Sequence, residues 1–248
     1  LILFGAIIDS TSSDKLSCYS LSLGVPCYNE AGNLERVAGE ILRVLPQYFR
    51  DFEIILVNDG SKDCTGEIAD RLAAQHPQIR VIHHPANRGY GAAVKSGYFA
   101  AQKDLVCLYP GDGQFDIREI GKLLPVMETA DIAATYRIDR QDPFHRKVNQ
   151  FLYNKGIWLL FGIPLKDIDC GFKLMKSKIF RIIDLESNGA LIDAEFYFKS
   201  RRKGFTYREI GVTHLPRETG ASTGAKLQVI FHAAYEIIKF WWKIRNYR

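Results

Sequence analysis

The sequence predicts an α/β fold in which a mostly parallel central sheet is flanked by helices and followed by C-terminal amphipathic helices. Three observations lead there. Strand-length apolar runs alternate with amphipathic helical runs through the first 136 residues. EIILV (53–57) is apolar throughout, as a strand covered on both faces must be. The most unusual loops follow the strand candidates, where open α/β sheets bind ligands.

The elements follow in order. LSCYSLSLGV (Leu16–Val25) alternates and stops at Pro26, the pattern of a strand ending in a loop. Asn33 then caps NLERVAGEILRVL, with Leu34, Val37, Ile41 and Val44/Leu45 on one face. After EIILV the chain turns at NDGSKD and enters the helix TGEIADRLAAQ. IRVIH (79–83), a helix from about Gly91 to Gln102, and DLVCLY (104–109) continue the alternation. A helix over 116–128 and the strand DIAATY (131–136) complete it. From about residue 140 the pattern changes to a long helix, RQDPFHRKVNQFLYNKGIWLLFG, with a basic start and an aromatic second half. DIDCGFKLMK reads as a turn or short strand, and 176–184 as a helix. GFTYREIGVTHLPRETGASTG is a strand entering a polar loop. The last helix, AKLQVIFHAAYEIIKFWWKIR, carries Leu227, Phe231, Ala234, Ile238 and Trp241 on one stripe.

Composition bounds the function. The chain has 248 residues, 47% hydrophobic and 25% charged, enough to bury a full core. The net charge of +5 permits attraction to phosphates or an anionic membrane but establishes neither. No nucleic-acid-binding signature or dense basic run is present, so no nucleic-acid partner is expected. Cysteines 18, 27, 64, 107 and 170 form no CxxC pair, which argues against zinc and fits a reducing compartment. LILFGAII at the start is far short of the ~20 apolar residues of a spanning helix.

Four loops carry the chemistry. In GVPCYNEAGN (24–33), Glu30 precedes a helix N-terminus, which suits a ligand contact or simple capping. In VNDGSKD (57–63), Asp59 can accept from a ribose or base edge, or close an Asx turn. In HHPANRGYGAAVKSGY (83–98), Gly91, Ala92 and Ala93 permit close backbone approach, while Arg88 or Lys95 can meet phosphate. His83 and His84 have no matching ligand partners and read as structural. The fourth, LYPGDGQFD (108–116), offers Asp112 as its central carboxylate.

In order and spacing, VPCYNE, VNDGSKD, NRGYGAAVKSGY and GDGQFD resemble the inverting family-2 glycosyltransferases of the nucleotide-sugar-binding GT-A fold. DIDCGFKLM and HLPRETGAS are similar to later motifs of the dolichyl- and undecaprenyl-phosphate sugar synthase branch. The resemblance covers roughly residues 21–224. It implies an N-terminal extension (1–20), a nucleotide-sugar-binding half (21–136), an acceptor-side half of the same domain (137–224) and a terminal amphipathic helix (225–248). Pro26, Tyr28 and Glu30 would line the nucleotide pocket, with Val57 and Asp59 against base and ribose. Gly111, Asp112 and Gln114 would face Mg2+ or Mn2+ and the donor diphosphate. Arg217 would sit near the phosphates, and Asp167 matches the acid that precedes the Gly-Phe pair. The departure is Pro110, where most relatives carry the first acid of an Asp-any-Asp motif. Magnesium is commonly held by one or two carboxylates plus substrate phosphates, so this loss does not by itself abolish a metal site.

The expected reaction moves a sugar from a UDP- or GDP-sugar to a polyprenyl phosphate; a saccharide hydroxyl acceptor and a nucleotide-binding module without turnover are the alternatives. A hydroxyl acceptor needs a base. Asp193 and Glu195 in ALIDAEFYFKS are the candidates, although they equally suit a helix N-terminus. FLYNKGIWLLFGIPL (151–165) and FWWKIRNYR (240–248) pair aromatic with cationic residues, as peripheral contacts with a bilayer do. Packing on the core or on a partner copy in a homo-oligomer is the other use for these helices. The expected location is the cytoplasmic face of a membrane.

Overall fold

The computed structural model describes residues 17–138, 144–217 and 227–245. The N-terminal apolar run, residues 139–143, the polar loop over 218–226 and the last three residues lie outside them. One seven-stranded sheet runs through both halves, in the order β3-β2-β1-β4-β6-β5-β7. Its strands are β1 (Leu21–Cys27), β2 (Phe52–Asn58), β3 (Ile79–His83), β4 (Leu105–Leu108), β5 (Ile132–Ile138), β6 (Lys173–Lys176) and β7 (Tyr207–Thr213). β6 is antiparallel to both β4 and β5, while every other pairing is parallel. The helices are α1 (Leu34–Val44), α2 (Thr65–Gln75), α3 (Tyr90–Ala100), the short α4 (Ile120–Leu123), α5 (Phe144–Phe161), α6 (Ile192–Arg202) and α7 (Leu227–Arg245). One face of the sheet packs on α1 and α2 through Leu34, Ile41 and Leu72. The other packs on α3, α5, α6 and α7 through Val94, Ile157, Phe196 and Phe240.

Three elements differ from expectation, each for a backbone reason. The first strand does not stop at Pro26 but continues to Cys27, with Pro26 in register with Val57. Ser20 and Gly24 accept from β4, and Cys27 accepts from the amide after β2, so even-numbered residues of β1 face β4. β4 leaves the ladder at Leu108, opposite Gly24, and the absent N–H of Pro26 therefore interrupts nothing. The helix expected over 116–128 is α4 between two 3-10 turns, Ile117–Glu119 and Leu124–Glu128, because Pro125 removes a helical donor. The helix expected over 176–184 shrinks to a 3-10 turn at Ser177–Arg181, since Lys176 is taken by β6.

Asp131 gives the fold an acid-sensitive point. Burial opposes its ionisation, yet Lys178, Lys176 and Thr206 hold its carboxyl down at about 2. A depressed carboxylate pKa contributes stability that is complete above the ordinary carboxylate range and is lost as pH falls toward the folded value. Asp131→Asn is thus expected to lower the melting temperature at neutral pH and to flatten its decline between about pH 4 and pH 2. Identical pH profiles for variant and parent would contradict this.

Candidate active site at the carboxyl ends of the strands

The loops after β1 and β2 are stitched together. Asn29 adopts a left-handed backbone (φ 55°), which Asn tolerates better than most residues. Its N–H donates to Ser61 Oγ at 3.0 Å, and its Oδ1 accepts from Lys62 N at 2.8 Å. Glu30 N donates to Thr65 Oγ1 at 2.9 Å and Ala31 N to Asp63 Oδ2 at 3.3 Å. These bonds fix Glu30 at the mouth of β1 beside partly buried Tyr28. Asn33 makes no side-chain cap; its Nδ2 donates to Glu30 Oε2 at 2.6 Å, so it orients the carboxylate rather than the helix.

The acidic loop after β4 closes over its own backbone, with Tyr109 OH donating to Phe115 O at 2.6 Å. Gly113 sits at φ 70°, a left-handed backbone that glycine adopts without the strain a side chain brings. Asp112 Oδ1 accepts from Gln114 N at 3.1 Å. Gln114 also ties the loop to the end of β7: its carbonyl accepts from Leu215 N at 2.9 Å, and its Nε2 lies 3.3 Å from both Leu215 O and His214 Nε2. This tether brings in Arg217, whose Nη2 donates to Glu30 Oε1 at 3.0 Å and to Asp112 Oδ2 at 3.3 Å. Three loops distant in sequence therefore converge on one guanidinium.

Two carboxylates sharing one cationic group define a place that calls for positive charge. Burial pushes the Glu30 carboxyl up, and the nearby Asp112 charge acts in the same direction against Asn33 and Arg217. Among the described residues no three His, Cys, Asp or Glu side chains are grouped to hold a metal unaided. That donor set, one or two carboxylates and the Gln114 amide oxygen, fits a hard divalent cation that takes its remaining oxygens from water and phosphates. It does not fit zinc, which wants a closed set of nitrogen and sulfur ligands.

Several expected contacts are assigned otherwise by the structure. Val57 is fully buried with Ile55 and Ala93, so its side chain cannot reach a base. Asp59 faces inward: it accepts from Arg88 N and Gly89 N, both at 2.9 Å, and lies 2.6 Å from His84 Nδ1. Its carboxylate pins the 84–89 loop and is spent there. His84 thus has a partner the sequence concealed, and its Nε2 lies 2.8 Å from Ser96 Oγ. Lys95 is committed to Glu186 O and Asn188 Oδ1, and does not offer a free ammonium to phosphate. Gly89 and Gly91 admit the backbone of Asn188, from which an added Cβ would stand 2.7 Å at either position. The small residues of this loop serve packing against 188–189. The backbone of Arg88 is held, while the residue is exposed.

The acids of the C-terminal half are also internal. Asp167 makes a bidentate pair with Arg137 (2.6 and 2.7 Å) and accepts from Gln150. Asp193 and Glu195 lie in the first turn of α6, but they are not free bases. Asp193 is ion-paired with Lys173, and both side chains are almost fully buried. Glu195 accepts from Glu186 N (2.9 Å) and Ser187 N (2.8 Å) and pairs with Lys199 at 2.7 Å. Residues two apart diverge on a helix, so the pair does not share a face. Arg137, Lys173 and Thr65 were missed because nothing local marks them; their partners are 20 to 35 residues away.

Comparison with known proteins agrees with this architecture. The profile of Glycosyl transferase family 2 matches residues 22–183, and the chain belongs to that family. It is 30% identical over 234 residues to glycosyltransferase AglD of Haloferax volcanii, covering 90% of this chain and 37% of AglD. It is 29% identical over 211 residues to the polyprenol monophosphomannose synthase of Mycolicibacterium smegmatis, covering 80% of this chain and 78% of that enzyme. Among solved structures it resembles glucosyl-3-phosphoglycerate synthase of Mycobacterium tuberculosis in complex with Mn2+, UDP and glucosyl-3-phosphoglycerate. That likeness has a TM-score of 0.68 at 14% identity, over 89% of this chain and 78% of that one. The chain is a glycosyltransferase of the GT-A fold, related to polyprenyl-phosphate sugar transferases.

Proposed function

We propose that this protein transfers a sugar from a nucleoside diphosphate sugar to a polyprenyl phosphate with the aid of Mg2+ or Mn2+. The observation that carries the acceptor class is the commitment of Asp193 and Glu195 to internal ion pairs. A hydroxyl acceptor requires a base, whereas a phosphate monoester is already ionised at neutral pH. The name of the M. smegmatis relative supports the same acceptor. Pro26, Tyr28 and Glu30 line the nucleotide side, with exposed Arg88 toward the phosphates. Gly111, Asp112 and Gln114 form the floor under the donor diphosphate. A bound divalent cation there supplies charge to the departing diphosphate. Arg217, already between two carboxylates, adds a second positive group to the same oxygens. Incubating the protein with Mn2+, UDP-glucose or GDP-mannose and undecaprenyl or dolichyl phosphate tests this. Radiolabelled sugar should appear in the organic phase; labelled product only with saccharide acceptors would overturn the acceptor assignment.

Such an acceptor requires a membrane surface. No described helix is long and apolar enough to cross a bilayer. α5 and α7 instead pack together through Phe161 and Phe240, ring centroids 5.5 Å apart, and expose apolar side chains outward. Leu159 is 81% exposed and Trp242 62%. Lys155 Nζ lies 4.8 Å from the Trp158 ring, joining a cation to the apolar face as at a bilayer interface. Burying one such side chain in lipid is worth ~1.5–3 kcal/mol. Leu159→Glu and Trp242→Glu are each expected to weaken binding to phosphatidylcholine–phosphatidylglycerol vesicles by about tenfold or more, measured by flotation. Unaltered flotation of both variants would exclude this face.

A further inference from the structure

Beside the acidic loop lies a polar array, buried at Asp167, Lys173 and Asp193 and partly exposed at Tyr90 and Asp169, that the proposed donor site leaves unused. Its groups come from five elements around residues 167–171: Arg137 at the end of β5, Lys173 on β6, Tyr90 on α3, Tyr153 on α5 and Asp193 on α6. Most of its charges are matched. Arg137 is paired with Asp167, and Lys173 with Asp193, which also accepts a hydrogen bond from the Tyr90 side chain. Asp169 is different. Its Oδ1 is buried and has no hydrogen-bond partner among the described residues. A buried acceptor left unmade costs on the order of 1–3 kcal/mol, so within this array Asp169 is the group with capacity to accept from a ligand.

The surroundings say which ligand. Gly171, two residues on, lies against Pro110 of the acidic loop: a Cβ there would be 2.6 Å from Pro110 Cγ and 3.8 Å from the Tyr90 hydroxyl. The 167–171 loop therefore adjoins the loop assigned to the donor diphosphate, on its acceptor side. The group attached to that diphosphate is the sugar, a polyol rich in hydrogen-bond donors. We propose that Asp169 is a sugar-specificity residue whose unpartnered Oδ1 hydrogen-bonds a hydroxyl of the transferred sugar. This rests on the donor reading given above.

The charge state suits that role. Burial, and then the charges of Asp193 and Asp167, hold the Asp169 carboxyl up at about 8, against Arg137 and Lys173. Near neutral pH it is mostly a carboxylic acid, which both donates and accepts, and the two cations then balance Asp167 and Asp193. An anionic phosphate finds no spare cation in this array, whereas a neutral hydroxyl needs none.

The test compares sugar nucleotides with the corresponding diphosphates. UDP, UDP-glucose, GDP and GDP-mannose are titrated calorimetrically with Mn2+ into the wild type, Asp169→Ala and Asp169→Asn. For the nucleotide the protein accepts, Asp169→Ala should raise the ratio of sugar-nucleotide Kd to diphosphate Kd by about tenfold. The diphosphate Kd itself should stay put, and Asp169→Asn should restore part of the loss. An unchanged ratio in Asp169→Ala, or equal weakening of diphosphate and sugar nucleotide, would overturn the assignment. So would turnover that collapses in both variants at an unchanged Kd ratio, the behaviour of a general base. A wild type that binds none of the four would instead overturn the donor reading, and the inference would fall with it.

Discussion

Asp112→Asn is expected to abolish Mn2+-dependent tightening of nucleoside diphosphate binding and to reduce turnover by at least the ~10–100-fold that losing a mere supporting group costs a metal site. Asp112 is the acidic-loop carboxylate that meets Arg217, since Asp116 is turned away to accept from Arg118 N at the start of the next 3-10 turn. Its Oδ2 is shared with Arg217 and its Oδ1 with the Gln114 amide, so the side chain is aimed and not free to wander. The isosteric amide keeps volume and hydrogen bonds but removes the charge. Arg217 retains Glu30 as a partner, and the fold should melt near the parent temperature. Manganese titrations by calorimetry, with and without UDP or GDP, separate loss of the metal from loss of the fold. Equal affinities in variant and parent would remove Asp112 from the site.

The second large effect lies away from the donor. Lys173 and Asp193 form an almost wholly buried ion pair. Burial disfavours the charged lysine, and Asp193 more than offsets it. Lys173→Met leaves an uncompensated carboxylate in the core, and such losses cost ~3–5 kcal/mol. Replacing both partners by apolar residues of similar volume is often neutral, so Lys173→Met with Asp193→Leu should recover much of that loss. Urea denaturation with turnover measured on the folded fraction reads this out. A base at Asp193 predicts the reverse: loss of turnover by orders of magnitude in Asp193→Asn with little change in stability.

The sheet was legible because its strands are short, apolar and punctuated by loops with strong turn chemistry. EIILV was recognisable from the absence of alternation alone, and it is a buried strand between β3 and β1. Pro26 misled because the rule that proline ends strands presumes a neighbour on the donor side, and β4 has already stopped there. The short helices near 120 and 180 were overextended because apolar periodicity cannot register where a proline or a competing strand takes the backbone.

The site was legible only as a set of loops. The convergence of Glu30, Asp112 and Arg217 needs the Gln114–Leu215 tether, a contact across 101 residues that no local pattern encodes. Carboxylates proved hardest to assign. Asp59, Asp167, Asp193 and Glu195 look alike in sequence to Asp112, yet all four are buried against their internal partners, whereas Asp112 keeps 20% of its side chain exposed while paired with Arg217. What separates them is the partner, supplied by the fold. Asp169, two residues after Asp167, drew no notice because its missing partner cannot be read from local sequence.

At the centre of the account stands a cation held under a sugar nucleotide by the Asp112 carboxylate. Anomalous diffraction from crystals soaked with Mn2+ and UDP or GDP tests it most directly. The expected result is a manganese peak in contact with the Asp112 carboxylate and the nucleotide's phosphate oxygens. Nucleotide bound with no such peak, or with manganese seated away from Asp112, would contradict it.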